Sequence, residues 1–315
     1  MRDYTLTICF DGTFNQTDMP DAQSNVLLLS RLLANQSDVN YLEGVGTRQK
    51  ERLGGGVLGC GVRDRIKDAY VWLQARFARL ENESVERPKV FIFGFSRGAY
   101  SARLLAGLID CAGIPRLGVS EEGGLDAFFG RKPQKAKKGK DGKTYFDIEI
   151  EMLGVWDTVN STGERDLGEK VLPGNVCHAY HAMAIDEKRK DFELVRWNKN
   201  TRCEEVWFPG VHSDVGGGYK ERVLSDVALG WMISKSMGHG LVFKSDANKY
   251  TEMIPNGIVP IIHNSLTGGW IVRGSKSRAA REGDRFHSSV ETVIAQSSDY
   301  RPTFSPPDRE RAYLA

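Results

Sequence analysis

KVFIFGFSRGAYSA, Lys89 to Ala102, reads as strand, tight turn and helix built around one serine. Lys89 to Phe93 is a short apolar run of β-branched and aromatic residues, the pattern of a buried parallel strand. Gly94-Phe95-Ser96-Arg97-Gly98 then fits G-x-S-x-G, in which a strained strand-to-helix turn lifts a serine oxygen above the sheet edge. The two glycines have a steric task, because a side chain at either position would collide with the backbones that the turn brings together. Ala99, Ala102, Leu105 and Ala106 recur at helical spacing, so the chain leaves Ser96 as a helix. The start of that helix directs backbone N–H groups, Arg97's among them, toward negative charge developing beside Ser96.

Outward from this stretch, the chain alternates strand-like and helix-like segments. Tyr4 to Phe10 predicts a first strand that ends in Asp11-Gly12-Thr13-Phe14-Asn15. A loop at the carboxyl end of such a strand lies where α/β sites are built, and Gly12 or Thr13 would offer a second oxyanion donor beside Arg97. Asn25 to Leu33 predicts a helix capped by Ser24 or Asn25, and Val39 to Val45 a second strand. Gly54 to Gly61 is glycine-rich but has no G-K-[ST] after it, so a close-packed or mobile loop at the site mouth is expected there, not a nucleotide site. Val62 to Leu80 carries an apolar stripe at helical spacing. Asp147 to Trp156 and Glu204 to Phe208 predict two further strands, Cys177 to Phe192 a helix with His181 near its apolar face, and Ser225 to Met237 another helix.

Ester or amide hydrolysis needs a nucleophile, a base, a carboxylate that orients the base, and donors for the oxyanion. Ser96, Asp157 and His212 each follow a predicted strand directly, and they come in the order Ser, Asp, His used by α/β-hydrolases. The intervals of 61 and 55 residues leave room for strand and helix units between them. His212 lies in a loop flanked by Pro209-Gly210 and Gly216-Gly217-Gly218, whereas His178 and His181 fall inside the predicted helix and read as structural. Asp214 would orient a histidine or bind a cation. No H-E-x-x-H or similar ligand spacing is present, so neither a metal nor a cofactor is expected.

The chain of 315 residues, 40% hydrophobic and 27% charged, has the composition of a globular protein with a sizeable core. Its formal net charge of +2 favours no anionic partner over any other, and no nucleic-acid partner is expected. Positive charge is concentrated in Arg131 to Thr144, RKPQKAKKGKDGKT, with seven Lys or Arg against one Asp. That segment is a solvated loop or hairpin, or a contact for anionic lipid through Lys135, Lys137, Lys138 and Lys140. The five cysteines are scattered, odd in number and lack a C-x-x-C pair, as reduced packing residues do. No stretch approaches the roughly 20 apolar residues of a membrane span, and the N-terminus lacks a signal-peptide pattern. Cytoplasmic synthesis is expected. One α/β domain over 1–315 is expected, with a core at about 4–240 and the remainder, 241–315, packed on it.

Five segments carry a resemblance: DGTFN at Asp11 to Asn15, GFSRGAYSAR at Gly94 to Arg103, GVWDTV at Gly154 to Val159, HAMAIDEKR at His181 to Arg189, and WFPGVHSDVGGGY at Trp207 to Tyr219. In this order they resemble the α/β-hydrolase family known as domain of unknown function 2235, which includes the first group of type VI secretion lipase effectors. The resemblance implies an α/β fold with a mostly parallel central sheet and helices on both faces. It implies a serine phospholipase or esterase with Ser96 as nucleophile, Asp157 as acid and His212 as base. A glycerophospholipid is the leading substrate, with a soluble esterase on a small or carbohydrate-linked ester as the alternative and a non-catalytic binding module as a third reading. Export by a type VI machine, contact with an anionic membrane and an immunity partner are the further expectations it raises.

Overall fold

Alternation of side chains along each strand builds two cores, one on either face of a single sheet. In the first strand Leu6, Ile8 and Phe10 point into one core and Cys9 into the other; in the strand before Ser96, Val90 and Ile92 face Phe91, Phe93 and Phe95 across the sheet. The computed structural model describes residues 4–12, 22–35, 37–44, 58–83, 88–120, 122–129, 145–159 and 170–304.

In chain order the elements are β1 (Thr5–Phe10), α1 (Asn25–Leu32), β2 (Ser37–Leu42), α2 (Leu58–Asn82), β3 (Lys89–Phe95), α3 (Arg97–Ala112), β4 (Ile114–Pro115), α4 (Glu122–Phe129), β5 (Tyr145–Phe146) and β6 (Ile150–Trp156). They continue as β7 (Val176–Ala184), β8 (Cys203–Phe208), α5 (His212–Gly216), α6 (Val223–Gly238), α7 (Gly269–Arg273), β9 (Arg285–Phe286) and α8 (Ser289–Gln296). Seven strands form one sheet in the order β2-β1-β3-β6-β7-β8-β9, and every neighbouring pair in it is parallel. The α/β-hydrolase-like class expected from the sequence is therefore the class observed. Helices α2, α3 and α4 cover one face; α1, α6 and α8 cover the other.

The strand order reverses around β1, so a crevice opens at the carboxyl ends of β1 and β3, where ligands bind in open parallel sheets. Gly12 and Ser96 both stand there. Ser24 caps α1 by accepting the Leu27 N–H at 3.1 Å.

Two sequence expectations are overturned: the end of the glycine-rich stretch expected as a loop, Leu58 to Gly61, already forms the first turn of α2, and a segment expected as a helix is a strand. Cys177 to Phe192 is not a helix: Val176–Ala184 forms β7, paired with β6 on one side and β8 on the other. Its alanines and methionine carry helix propensity, and the few tenths of a kcal/mol per residue involved are outweighed by a central place in a parallel sheet that buries both faces of the strand. His181 consequently lies on the face of Ala179, edge-on to Trp197 in the core there, and the segment 185–192 is the irregular continuation of a strand end, closing in a 3-10 turn at Lys190–Phe192.

Beyond α6 the chain returns to the sheet. β9 adds to the β8 edge, and Phe286 and Val290 pack with Met183, Ile185 and Trp207 in a third, smaller core.

Candidate active site

The turn after β3 is as tight as the G-x-S-x-G pattern requires. A Cβ on Gly94 would stand 2.5 Å from the Gly98 carbonyl oxygen, and one on Gly98 would overlap the carbonyls of Phe10 and Asp11. Between them Ser96 adopts φ 60°, ψ −125°. Among the described residues only Ser96 and Asp157 (φ 42°) combine a side chain with positive φ, and such backbone strain, of order 1–3 kcal/mol each, gathers at functional sites. The strain is held by the sheet, since the Ser96 N–H donates to the Trp156 carbonyl at the end of β6 (3.0 Å) and the Asp157 N–H to the Ala182 carbonyl of β7 (2.8 Å).

The three strand-end residues meet in one hydrogen-bonded chain. His212, the first residue of α5, places Nε2 2.8 Å from Ser96 Oγ and Nδ1 2.6 Å from Asp157 Oδ2. Because the carboxylate accepts, Nδ1 carries the proton and Nε2 is left as the acceptor for the serine hydroxyl. All three are buried. The imidazole is gripped on its faces by Phe95, 4.6 Å between ring centres, and edge-on by Phe192 at 4.9 Å. Its backbone N–H reaches Glu187 Oε2 at 3.3 Å.

Asp157 has a partner that sequence reasoning did not find. Arg278 donates from Nη1 to Oδ1 (2.5 Å) and from Nη2 to Oδ2 (2.9 Å), while also binding the carbonyls of Ala184 and Phe192. The Ala184 N–H completes the carboxylate's shell at 2.9 Å. Burial by itself would raise the Asp157 carboxyl; the Arg278 charge and then the His212 hydrogen bond outweigh it and hold the group well below the usual carboxylate range. Arg278 lies 121 residues beyond Asp157, in a stretch with no periodic signal, so nothing local announces it.

Glu187 is the second unforeseen member. Fully buried, it accepts from Arg189 through both carboxylate oxygens, from the Ser265 hydroxyl (2.9 Å) and from the His212 backbone. Burial would raise its carboxyl, and the Arg189 hydrogen bonds bring it below its ordinary value. The HAMAIDEKR segment contained both residues; read as a helix, it hid their place at a strand end.

Asp214 does not touch His212. Its carboxylate accepts from the Val211 N–H (2.9 Å) and pairs with His263 Nδ1 at 2.5 Å, so the histidine it orients is His263. Asp11 likewise organises its own turn, accepting from Ser24 Oγ (2.6 Å), Tyr41 OH (2.5 Å) and the Gly12 N–H (2.6 Å). The Gly12 donor is thus engaged by Asp11, while Arg97 opens α3 directly after Ser96. The Arg97 guanidinium is buried, and desolvation lowers it to about 10. Thr13, the basic residues Lys135, Lys137, Lys138 and Lys140, and Gly54 to Val57 lie outside the described residues.

A sequence model of the type VI secretion phospholipase effector, Tle1-like, catalytic domain matches residues 4–235. The chain belongs to this family. Ser96, Asp157 and His212 fall inside the matched region, and Ser265 and Arg278 fall beyond it. The uncharacterized protein YEL023C of Saccharomyces cerevisiae is 26% identical over 226 residues, which are 60% of this chain and 32% of that protein. An uncharacterized protein from Pseudomonas aeruginosa has a solved structure that is 20% identical, with a TM-score of 0.50 over 81% of this chain and 48% of that one; the likeness is one of fold. A Tle1 effector solved bound to the VgrG spike of a type VI secretion system is 23% identical, with a TM-score of 0.41 over 69% of this chain and 52% of that one. The chain therefore spans a third to a half of the length of these relatives. Among the described residues no helix is long and apolar enough to cross a membrane.

Proposed function

We propose that this Tle1-like domain is a serine hydrolase that cleaves the acyl esters of glycerophospholipids through an acyl-Ser96 intermediate. The observation that carries the reading is the continuous bond path from Ser96 Oγ through both nitrogens of His212 to a buried, ionised Asp157, centred on a strained turn. Family membership supports the lipid ester as substrate class.

Ser96 Oγ attacks the ester carbonyl carbon as His212 Nε2 takes its proton. Asp157 holds the tautomer that makes this direction available and stabilises the imidazolium that results. The carbonyl oxygen, now an oxyanion, is received by the Arg97 N–H at the start of α3 and by a donor from the loop after β1, Gly12 once its N–H leaves Asp11, or Thr13. Collapse of the tetrahedral intermediate breaks the bond to the glycerol oxygen, which leaves with the proton from His212 as a lysophospholipid. Water then repeats the sequence on acyl-Ser96: His212 takes its proton, the carbonyl is attacked, and the fatty acid departs as Ser96 recovers its hydrogen. Arg278 touches none of the reacting atoms. Its task is to keep Asp157 ionised and fixed.

In this reading the segment of Lys135, Lys137, Lys138 and Lys140 adds attraction to anionic lipid. Delivery by a type VI apparatus follows from the family, with a spike protein as the partner class and an immunity protein as its counterpart. The test is incubation of the purified protein and its Ser96→Ala variant with mixed lipid extracts, products identified by mass spectrometry. Free fatty acid and lysophospholipid made by the parent alone are the expected result; equal product from both overturns the mechanism.

A further inference from the structure

The rim of the site carries a surface that the chemistry of Ser96 does not use. Helix α7 is one turn long, begins after Gly268 (φ 55°) and ends at Gly274 (φ 90°), and bears Ile271 and Val272 with 62% and 90% of their surface in water. Met253, Val259 and Ile261, in the segment leading to it, are also exposed. Apolar side chains this exposed gain little from folding, and exposed apolar surface beyond the ordinary marks contact sites.

The inward side of the same turn leads straight to the base. Trp270 packs edge-on against Phe192 (5.4 Å), and Phe192 packs edge-on against His212 (4.9 Å). The tip thus stands two rings away from the imidazole.

At its foot gather cations that form a partial collar. The Lys190 N–H donates to the Gly274 carbonyl (3.3 Å) and the Lys276 N–H to the Lys188 carbonyl (2.8 Å), which ties the Lys188 to Lys190 strand end to the foot of α7. Lys188, Lys190, Arg273 and Lys276 are all exposed. Asp191 pairs with Arg273 (2.7 Å) and Glu193 with Lys276 (2.6 Å), so the collar retains an excess of positive charge.

We infer that α7 and the Lys188–Lys190 strand end form the face that seats this domain on an anionic phospholipid surface, Ile271 and Val272 entering the acyl layer and the lysines meeting the headgroups. An apolar tip inside a basic collar matches the two layers of such a surface in order and in sign. A second copy of the chain is a poorer occupant, because two like-charged collars would be brought together. The inference rests on the phospholipid reading of the site and uses residues distinct from the Lys135 to Lys140 segment.

The test measures flotation of the Ser96→Ala protein with phosphatidylcholine vesicles that contain or lack phosphatidylglycerol, with and without Ile271→Asp plus Val272→Asp. A companion pair, Lys188→Gln plus Lys190→Gln, addresses the collar. Hydrolysis of a short-chain soluble ester by the same substitutions on an intact Ser96 reports folding and chemistry. The aspartates are expected to weaken binding to anionic vesicles at least about tenfold and the glutamines less, with the preference for phosphatidylglycerol reduced, while soluble ester turnover stays within about twofold. Vesicle binding unchanged by the aspartates overturns the inference. So does a parent dimer that the aspartates split while vesicle binding persists. If the parent binds vesicles through α7 but hydrolyses no phospholipid in vesicles or detergent micelles, the surface stands and the phospholipase reading falls. If it hydrolyses micellar phospholipid and the aspartates leave vesicle binding intact, the reverse holds.

Discussion

Two buried histidines in this molecule keep the same company on one nitrogen and face different partners on the other. His212 gives Nδ1 to Asp157, whose carboxylate is held by Arg278; His181 gives Nδ1 to Glu205 (3.1 Å), whose carboxylate is held by Arg196 (2.8 Å). In both, the far nitrogen is an acceptor. For His212 it faces a hydroxyl, Ser96 Oγ, whereas for His181 it accepts the Thr158 backbone N–H at 3.1 Å, immediately after Asp157. A carboxylate–imidazole pair with an arginine behind it thus occurs twice and does not by itself mark a site. What the second nitrogen meets is the difference: at His212 a hydroxyl, whose proton a base could take, and at His181 a peptide N–H, which a brace would hold.

The largest effect should come from breaking the His212 side. Ser96→Ala or His212→Ala is expected to lower kcat for a soluble ester roughly 10⁴-fold or more, and the double variant should lose little beyond either one, because the residues act as a unit. Additive losses in initial-rate assays would contradict that unit.

Arg278→Met tests what the arginine contributes from behind. A buried Asp157 without its counter-charge binds protons more readily, so kcat/KM should fall about 10- to 100-fold and the acid limb of its pH profile should move to higher pH. Arg278→Lys should recover part of the shift. A purely structural arginine would lower the melting temperature and leave the profile's midpoint in place.

His181→Asn should sharpen the contrast. It strips a partner from Glu205 and from the Thr158 N–H, a cost of about 1–3 kcal/mol that thermal unfolding would report as a drop of several degrees. Turnover below that transition should change less than about fivefold, since the variant moves no proton in the reaction. A loss comparable with that of His212→Ala would erase the distinction between base and brace.

The smallest effect concerns acid stability. Burial would raise the Glu205 carboxyl, and the His181 hydrogen bond with the Arg196 charge brings it from 4.5 down to about 2. A depressed carboxyl stabilises the fold above its unfolded value and loses that contribution as pH falls through the folded one. Melting temperature should therefore decline between pH 4.5 and about 2 in the parent, and Glu205→Gln should flatten that part of the curve at a lower plateau. An unchanged slope would assign the acid sensitivity to other groups, Asp157 first among them.

How much of the site was legible follows from distance along the chain. Ser96, Asp157 and His212 each sit at the end of a segment whose own residues predict a strand, and the glycines around Ser96 and His212 mark turns without reference to anything remote. His181 was misread in its surroundings, since the composition of β7 suits a helix until β6 and β8 flank it. Its structural character, inferred from a wrong helix, comes in fact from the Thr158 bond inside the sheet.

Periodicity, glycine placement and chain order are local or one-dimensional, and they already set the alternation of strands and helices around β3, the elbow at Ser96 and the order of the three residues that the bond path joins. Packing alone brings Arg278 and Ser265, from the returning C-terminal segment, into the shells of Asp157 and Glu187, and gives Asp214 to His263 and not to His212. Those pairings depend on which charges are buried together, and burial is a property of the packed chain: the same arginine and carboxylates in water would gain too little from one another to be held in place.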